Sequence, residues 1–351
     1  MWEERAHRTR REVAALAAAG LGVHELFTRA IGTVQVVVPA ELTCWAVLDP
    51  ETAVISAMVN GPVAIPAEYE PRLAEAEYAA DEPHSFRELA RRRAAVTPLA
   101  DLDAAALRRS RRLHTVWRPL GLDQEVRVVF LTGDGTAWGA AGMVRERGAF
   151  GPRELEYLAA VAPVLATATR LAVRTEIANR PVAPGPAVAV IGPAGELRSS
   201  TARAQQWRDR FDRLAPGRFE TVLALMTAGT ASAPGHAFTA RLRDGAGGWA
   251  VLRATPLLGD GDGSTAVTIE AADAGDLLGP TLLAMGLTRR ERDVCLQVLA
   301  GRSTASIAGE LFISANTVQD HLKTVFDKVG VRSRRDLVVR LQGRAADSSS
   351  E

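Results

Sequence analysis

The sequence predicts a multidomain chain: two α+β domains followed by an all-α domain of four short helices. Three observations lead there. The 351 residues are 47% hydrophobic, enough for two or three packed cores. Strand-length apolar runs recur in two separate blocks, with helical, charged segments between them. The last block instead carries helix start and stop signals at short intervals. The expected boundaries are an N-terminal helix at 1–21, an α+β domain at 22–178 and a linker at 179–186. A smaller α+β domain follows at 187–272, then a linker at 273–285, the four-helix domain at 286–343 and a disordered tail at 344–351.

At the N-terminus, Glu3, Glu4 and Glu12 interrupt an Ala-rich stretch, so an amphipathic helix is expected there rather than a signal peptide. No run approaches the roughly 18 apolar residues of a membrane span, and no membrane contact is expected. In the first α+β block a helix fits 24–38 and strands fit 43–48 and 53–59. Helical segments fit 67–80, 83–95 and 103–117. Two further strands fit 125–131 and 137–144, joined by a turn at Gly133-Asp134-Gly135. A long helix starts near Pro152, with Glu154 and Glu156 in its first turn. Trp45, Trp117, Phe130 and Trp138 lie on or beside these strands. They are candidates for lining a ligand pocket, with plain core packing as the competing role. The arginine runs 91–93 and 108–112 are candidates for a second anionic contact, with a solvated helix face as the favoured reading.

The stretch NRPVAPGP at 179–186 has linker composition. Beyond it a strand fits 187–191, a turn 192–195 and a helix 200–211. Strands then fit 237–243, 249–257 and 265–270.

Several chemistries lack their residues. A calcium loop starting at Asp260 would need Gly and Glu where Thr265 and Ala271 stand, so 259–263 is read as a hairpin turn. No phosphate-binding GxxxxGK[ST] and no GxSxG nucleophile elbow occur. No lysine precedes Lys323, which removes the lysine a phosphorylated receiver needs. Cys44 and Cys295 sit on apolar stretches, and the six histidines form no ligating pair. No catalytic residue, metal or cofactor is therefore expected. The cysteine usage suits a reducing cytoplasm.

The C-terminal block is the most explicit. Thr288 with Glu291 forms a capping box, and Val294, Val298 and Leu299 follow at helical spacing up to Gly301. Ser303 can cap a second helix carrying Ile307, Ala308 and Leu311. Ser314 can cap a third, with Val318, Leu322, Val325, Phe326 and Val329 before Gly330. Ser333 can cap a fourth carrying Leu337, Val338 and Leu341. The short gap between the second and third helices makes them a helix-turn-helix. Opposite its apolar stripe the third helix presents Asn316, Asp320, Lys323, Thr324 and Asp327, with Gln319 on the flank. Such groups can reach base edges or phosphates in a major groove. Charge agrees with this: residues 281–344 hold eleven Lys or Arg against six Asp or Glu, while the whole chain carries only +1.

These residues closely resemble the LuxR-type helix-turn-helix of bacterial transcription regulators. The matching positions include Leu287-Thr288-Arg289-Arg290-Glu291, Ala300-Gly301, Ile307-Ala308, Leu311, Ile313-Ser314, Thr317-Val318, His321-Leu322, Phe326, Lys328, Gly330-Val331 and Ser333-Arg334. The resemblance implies that the third helix enters the DNA major groove, with Asn316, Thr317, Gln319, Asp320, Lys323 and Thr324 at the DNA. Thr288, Glu291, Val318, His321 and Leu322 would support the domain. It also implies that the fourth helix makes a homodimer contact through Leu337, Val338 and Leu341. Many family members have a basic residue where Gln319 stands, which bears on the operator sequence.

By element order, the first α+β block resembles a GAF-type sensor domain, through stretches such as 38–48 and 118–142. The second is similar to a PAS domain, although Thr201 stands near the place of that family's usual Asn. The whole order resembles actinobacterial regulators that end in a LuxR-type domain. The resemblances imply a cytoplasmic, homodimeric, one-component transcription regulator. Its sensor domains would bind a small-molecule ligand or a partner and control binding to double-stranded DNA. The alternatives are a factor regulated by protein interaction alone, or an enzyme with an appended helix-turn-helix.

Overall fold

The computed structural model describes residues 1–178, 184–193, 195–233, 235, 237–258 and 263–342. Residues 179–183 of the expected linker at 179–186, most of the turn at 259–263 and the tail at 344–351 lie outside these residues. The chain divides into two compact units, Met1–Ala271 and Ala272–Glu351.

The first unit holds two five-stranded antiparallel sheets. Helices α1 (Trp2–Ala18) and α2 (Val23–Gln35) precede β1 (Leu42–Leu48) and β2 (Ile55–Asn60). Then come α3 (Glu70–Tyr78), α4 (Phe86–Arg92), the short β3 (Val96–Pro98), α5 (Ala104–Arg109), β4 (Gln124–Leu131), β5 (Ala137–Arg145) and α6 (Pro152–Ala178). The strand order is β2-β1-β5-β4-β3. Helix α6 is long and apolar enough to cross a membrane, but in this unit it lies on β4 and β5 and buries Tyr157, Leu158, Val161, Leu165 and Val173. On one side of the sheet, Phe27 of α2, Trp45 of β1 and Phe130 of β4 pack edge to face, with ring centroids 5.2–6.1 Å apart. A side chain at Gly139 would meet the Phe130 ring at 2.8 Å, so glycine leaves that ring its place.

The second sheet is built from β6 (Ala187–Ile191), β7 (Leu197–Ser200), β8 (Phe238–Arg243), β9 (Trp249–Pro256) and β10 (Thr265–Ala271), with α7 (Ala202–Asp212) and α8 (Arg218–Ser232) between β7 and β8. Its order is β7-β6-β10-β9-β8. Each sheet thus runs second, first, fifth, fourth, third in its own strand count. The edge strands β3 and β7 and the helix α8 are not among the elements expected from the sequence.

The two α+β blocks, each with its own sheet, pack against each other within the first compact unit. Tyr78 of α3 sits in the same core as Trp207, Phe211 and Phe219, with its ring edge-on to Phe238 at 6.2 Å. Its hydroxyl accepts from the Ile55 amide at 2.9 Å, which satisfies the buried oxygen. Arg241 of β8 reaches Asp49 at 2.9 Å and Glu51 at 3.0 Å, and Arg243 pairs with Glu176 of α6. Helix α3 packs directly on α8.

The arginine run 108–112 also departs from expectation. The expected helix at 103–117 breaks at Ser110, and a π-helical turn, Leu113–Trp117, follows. This turns Arg112 inward, where it is 1% exposed. Its Nε donates to Glu125 at 2.9 Å and its Nη1 to Glu82 at 2.8 Å. Next to it Arg127 pairs with Glu77 at 2.5 Å and stacks over the Phe86 ring at 3.6 Å. The apolar period on either side gives no sign that one arginine of the run is buried.

The second unit is all α: α9 (Leu278–Ala284), α10 (Arg289–Leu299), α11 (Thr304–Leu311), α12 (Ala315–Val329) and α13 (Arg334–Gln342). Helix α9 occupies part of the expected linker at 273–285. Its Leu282 joins a core with Leu287, Val294, Cys295, Val298, Ile307, Val318, Leu322, Val325 and Val329. The caps stand where the sequence puts them. Thr288 and Glu291 close both halves of a capping box. Ser303, Ser314 and Ser333 each accept a backbone amide three residues on.

Candidate functional site

Helices α11 and α12 meet through the tight turn at Phe312–Ser314, where Phe312 adopts φ 54° and lies 93% exposed. Val318, Leu322, Val325 and Val329 anchor α12 in the core, so its other side is turned to solvent. Asn316, Gln319, Asp320, Lys323 and Thr324 are all exposed, while Thr317 and His321 are half-buried. The N-terminal end is set by Ser314, whose Oγ accepts the Thr317 amide at 3.0 Å and contacts the Thr317 hydroxyl at 2.8 Å. Gln319 Nε2 donates to Thr304 Oγ1 of α11 at 3.3 Å, and Arg334 Nη2 donates to the same oxygen at 2.9 Å. Neither bond uses the Gln319 amide oxygen, which stays available as an acceptor.

At the far end of α12, Lys328 Nζ donates to Glu291 Oε2 at 2.6 Å, and the same oxygen accepts the Thr288 amide at 2.7 Å. Burial opposes the Glu291 charge, but Lys328 and the Thr288 amide outweigh it and hold the carboxyl below the usual glutamate range. Of the chain's two lysines, then, Lys328 is engaged in bracing α10 against α12, and Lys323 faces solvent.

Helix α13 corrects one expectation. Leu337 is 0% exposed and Leu341 is buried, both inside the core of their own domain, with Val338 half-buried against it. Leu337 and Leu341 are thus turned inward, and of the three residues expected at a dimer contact only Val338 keeps part of its side chain at the surface. Val339, which the apolar spacing does not single out, is the exposed apolar residue of this helix.

The first unit contains a cavity of about 70 Å³ on the face of the first sheet away from Phe27. Its walls come from β1, β2, β4 and β5, from α3, and from α8 beside the second sheet. Leu42, Cys44, Leu73, Trp117, Arg218 and Leu225 are among the lining residues. Trp117 therefore lies at a cavity, carried there by the π-helical turn. Trp45, Phe130 and Trp138 do not line it. The first two point to the opposite face, as alternation along a strand requires, and Trp138 is fully buried. Burial pushes the Cys44 thiol up to about 12, with Arg218 and Arg127 only partly opposing, so it is an inert apolar wall. The sequence signal for α8 was present: Phe219, Val222, Leu223 and Met226 are spaced as one helix face and are all buried. Nothing local marks Arg218, just ahead of that stripe, as a cavity residue. Among the described residues no cluster of His, Cys, Asp and Glu could hold a metal ion.

Comparison with known proteins falls on the helical unit. The model of the bacterial regulatory proteins of the luxR family matches residues 285–341. The spore germination protein GerE of Bacillus subtilis (strain 168) is 44% identical over 55 residues, which span 74% of that protein and 16% of this chain. The chain belongs to the luxR family of bacterial regulatory proteins. Its membership rests on the C-terminal domain, which is a LuxR-type DNA-binding helix-turn-helix. Among solved structures, the phage VqmA–DPO complex covers 51% of this chain and 89% of its own at 15% identity and TM-score 0.27. The Vibrio cholerae VqmA dimer in the absence of target DNA covers 46% and 83% at 16% identity and TM-score 0.20. The E. coli DhaR(N)–DhaL complex covers 78% and 90% at 12% identity and TM-score 0.24. With TM-scores this low, the fold of the first unit stands on its own strands and helices.

Proposed function

We propose that this protein is a cytoplasmic, one-component transcription regulator whose first unit senses a small molecule and controls the binding of double-stranded DNA by the second. The observation that carries this reading is the cavity: the first unit encloses an apolar space with a few polar groups, the usual form of a ligand site. The repeated strand order of the two sheets supports a tandem of GAF-like and PAS-like sensor domains. In the second unit Asn316, Thr317, Gln319, Asp320, Lys323 and Thr324 are the DNA-facing residues, Thr317 from a half-buried position, with His321 holding the helix in place.

The protein acts as a homodimer on inverted half-sites spaced to match successive major grooves. Since Leu337 and Leu341 are committed to the core, a contact through α13 falls to Val339 and the edge of Val338.

Native mass spectrometry of the purified full chain tests the sensing part. A retained small mass on the dimer is the expected result. An added protein mass with no small molecule retained would replace ligand sensing with partner docking, and a bare monomer would contradict both the sensing and the dimer.

A further inference from the structure

Arg218 opens α8 and lines the cavity, and its side chain belongs to a residue only 9% exposed. Every other deeply buried arginine at this cavity has counter-charges. Arg127 is held by Glu77 and by the His84 carbonyl at 2.7 Å, and Arg112 behind it by Glu82 and Glu125. Among the described residues no hydrogen bond or ion pair reaches the Arg218 guanidinium. Burial pulls it down from the ordinary arginine range, and Glu70, Cys44 and Tyr78 only partly offset that. A buried cation with five donors and no acceptor is unfavourable unless something fills the position.

The acidic groups around it do not supply the missing partner. Glu77 is paired with Arg127 and also accepts the Phe86 amide at 2.5 Å, and Glu125 is paired with Arg112. Glu70, which also lines the cavity, makes no ion pair with Arg218, and burial raises its carboxyl above the usual glutamate range. The Arg218 guanidinium thus faces a largely apolar cavity with no carboxylate in contact with it.

We propose that the cavity binds a small monocarboxylate, with the carboxylate forked onto Arg218 and a short apolar body against β1 and α3. This rests on the sensing role given to the cavity above and names its ligand class. A guanidinium matches a carboxylate through two parallel hydrogen bonds. A phosphate dianion would need a second free cation, and Arg127 is already engaged. Size limits the body: about 70 Å³ is roughly half of a cavity that accepts benzene. That fits acids of about two to four carbons. Because Arg218 comes from α8 and most of the apolar wall from the first sheet, a bound carboxylate bridges the two halves of the unit. Binding thereby stabilises one arrangement of them.

The test is calorimetric titration of the full chain with acetate, propionate and butyrate, each against its neutral amide, and with inorganic phosphate. The expected result is saturable binding of at least one acid and none of its amide. Arg218→Gln should weaken binding roughly ten- to a hundredfold, the range for removing hydrogen bonds to a charged group. Because Arg218 makes no ion pair, the variant should melt no lower than the parent. Ala74→Leu, narrowing the cavity from α3 with Arg218 intact, should also abolish binding. Equal binding of acid and amide, or undiminished binding by Arg218→Gln, would overturn the carboxylate assignment and leave the cavity a ligand site. Phosphate binding that disappears in Arg218→Gln would overturn the carboxylate class. Binding by no probe also overturns the proposal, and the sensing role is then judged separately by the retained mass in the native spectrum.

Discussion

The two units hold themselves together by different means. In the helical unit each helix of the DNA-binding domain starts on a cap that reaches three residues along the chain: Thr288 to Glu291, Ser303 to Ser306, Ser314 to Thr317, Ser333 to Asp336. In the first unit the decisive polar contacts join distant parts of the chain. Arg112 reaches Glu82 and Glu125, Arg127 reaches Glu77, and Arg241 reaches Asp49. Local interactions write themselves into adjacent residues. Contacts between distant residues depend on topology, which the sequence shows only as a pattern of strands. The comparison teaches that the DNA-binding part can be read position by position, whereas the first unit has to be built before its working residues appear.

The largest way to break this comparison is to remove a distant contact. Arg112→Ala leaves Glu82 and Glu125 buried without their partner. It should destabilise the first unit by about 3–5 kcal/mol, the range for breaking a buried ion pair. Denaturant unfolding that follows the two units separately should show the loss in the first alone. Arg112→Met, of similar length, should be no gentler, because both carboxylates remain.

Leu337→Ala sharpens the comparison from the other side. A buried leucine in a small helical core is worth about 2–5 kcal/mol, so this change should melt the second unit and abolish DNA binding through loss of fold. Val339→Ala should leave stability within about 0.5 kcal/mol. If circular dichroism showed the Leu337 variant folded while sedimentation showed it monomeric, the inward placement of this helix face would be wrong.

A smaller effect concerns pH. Glu291 titrates below its unfolded value, so its contribution is fully present above the ordinary glutamate pKa of about 4.3. It is lost as pH falls through the lower, folded pKa. The parent's second unit should therefore lose stability in that acid window, and Glu291→Gln should flatten the acid limb. Equal slopes for both proteins would remove the Glu291–Lys328 pair from the account.

How much was legible follows the same division. The capping box, the helix-turn-helix and the solvent face of α12 came directly from residue types and spacing. So did strands β1, β2, β4 and β5 and the last three strands of the second sheet, because their apolar runs are long enough to stand out. The edge strands β3 and β7 gave no signal: Val96–Pro98 is three residues long, and Leu197–Ser200 is nearly all exposed, so neither has an apolar face to detect. Helix α9 resembles a linker in sequence because its start has no side-chain cap. The inward turn of Arg112 had no local mark. The joining of the two α+β blocks through Tyr78 and α8 could not be seen from composition, which placed a linker between them. Aromatic residues were a poor guide to the cavity: Trp45 and Phe130 are large enough to fill a core by themselves and do so with Phe27.

The central claim is that the solvent face of α12 reads DNA. It is tested most directly by binding titrations of Gln319→Ala, Asp320→Ala and Lys323→Ala on a DNA selected from a random pool and on its scrambled counterpart, at several salt concentrations. A glutamine amide can pair with adenine N6 and N7, and a carboxylate can accept from cytosine N4. Gln319→Ala and Asp320→Ala should therefore change which sequences bind, at about 1–3 kcal/mol for each base-edge interaction removed. Lys323→Ala should weaken binding to both DNAs and lower the salt slope by about one unit per site, as removal of a phosphate-binding cation requires. If all three variants bind both DNAs like the parent at every salt concentration, α12 is not the reading element and the claim is contradicted.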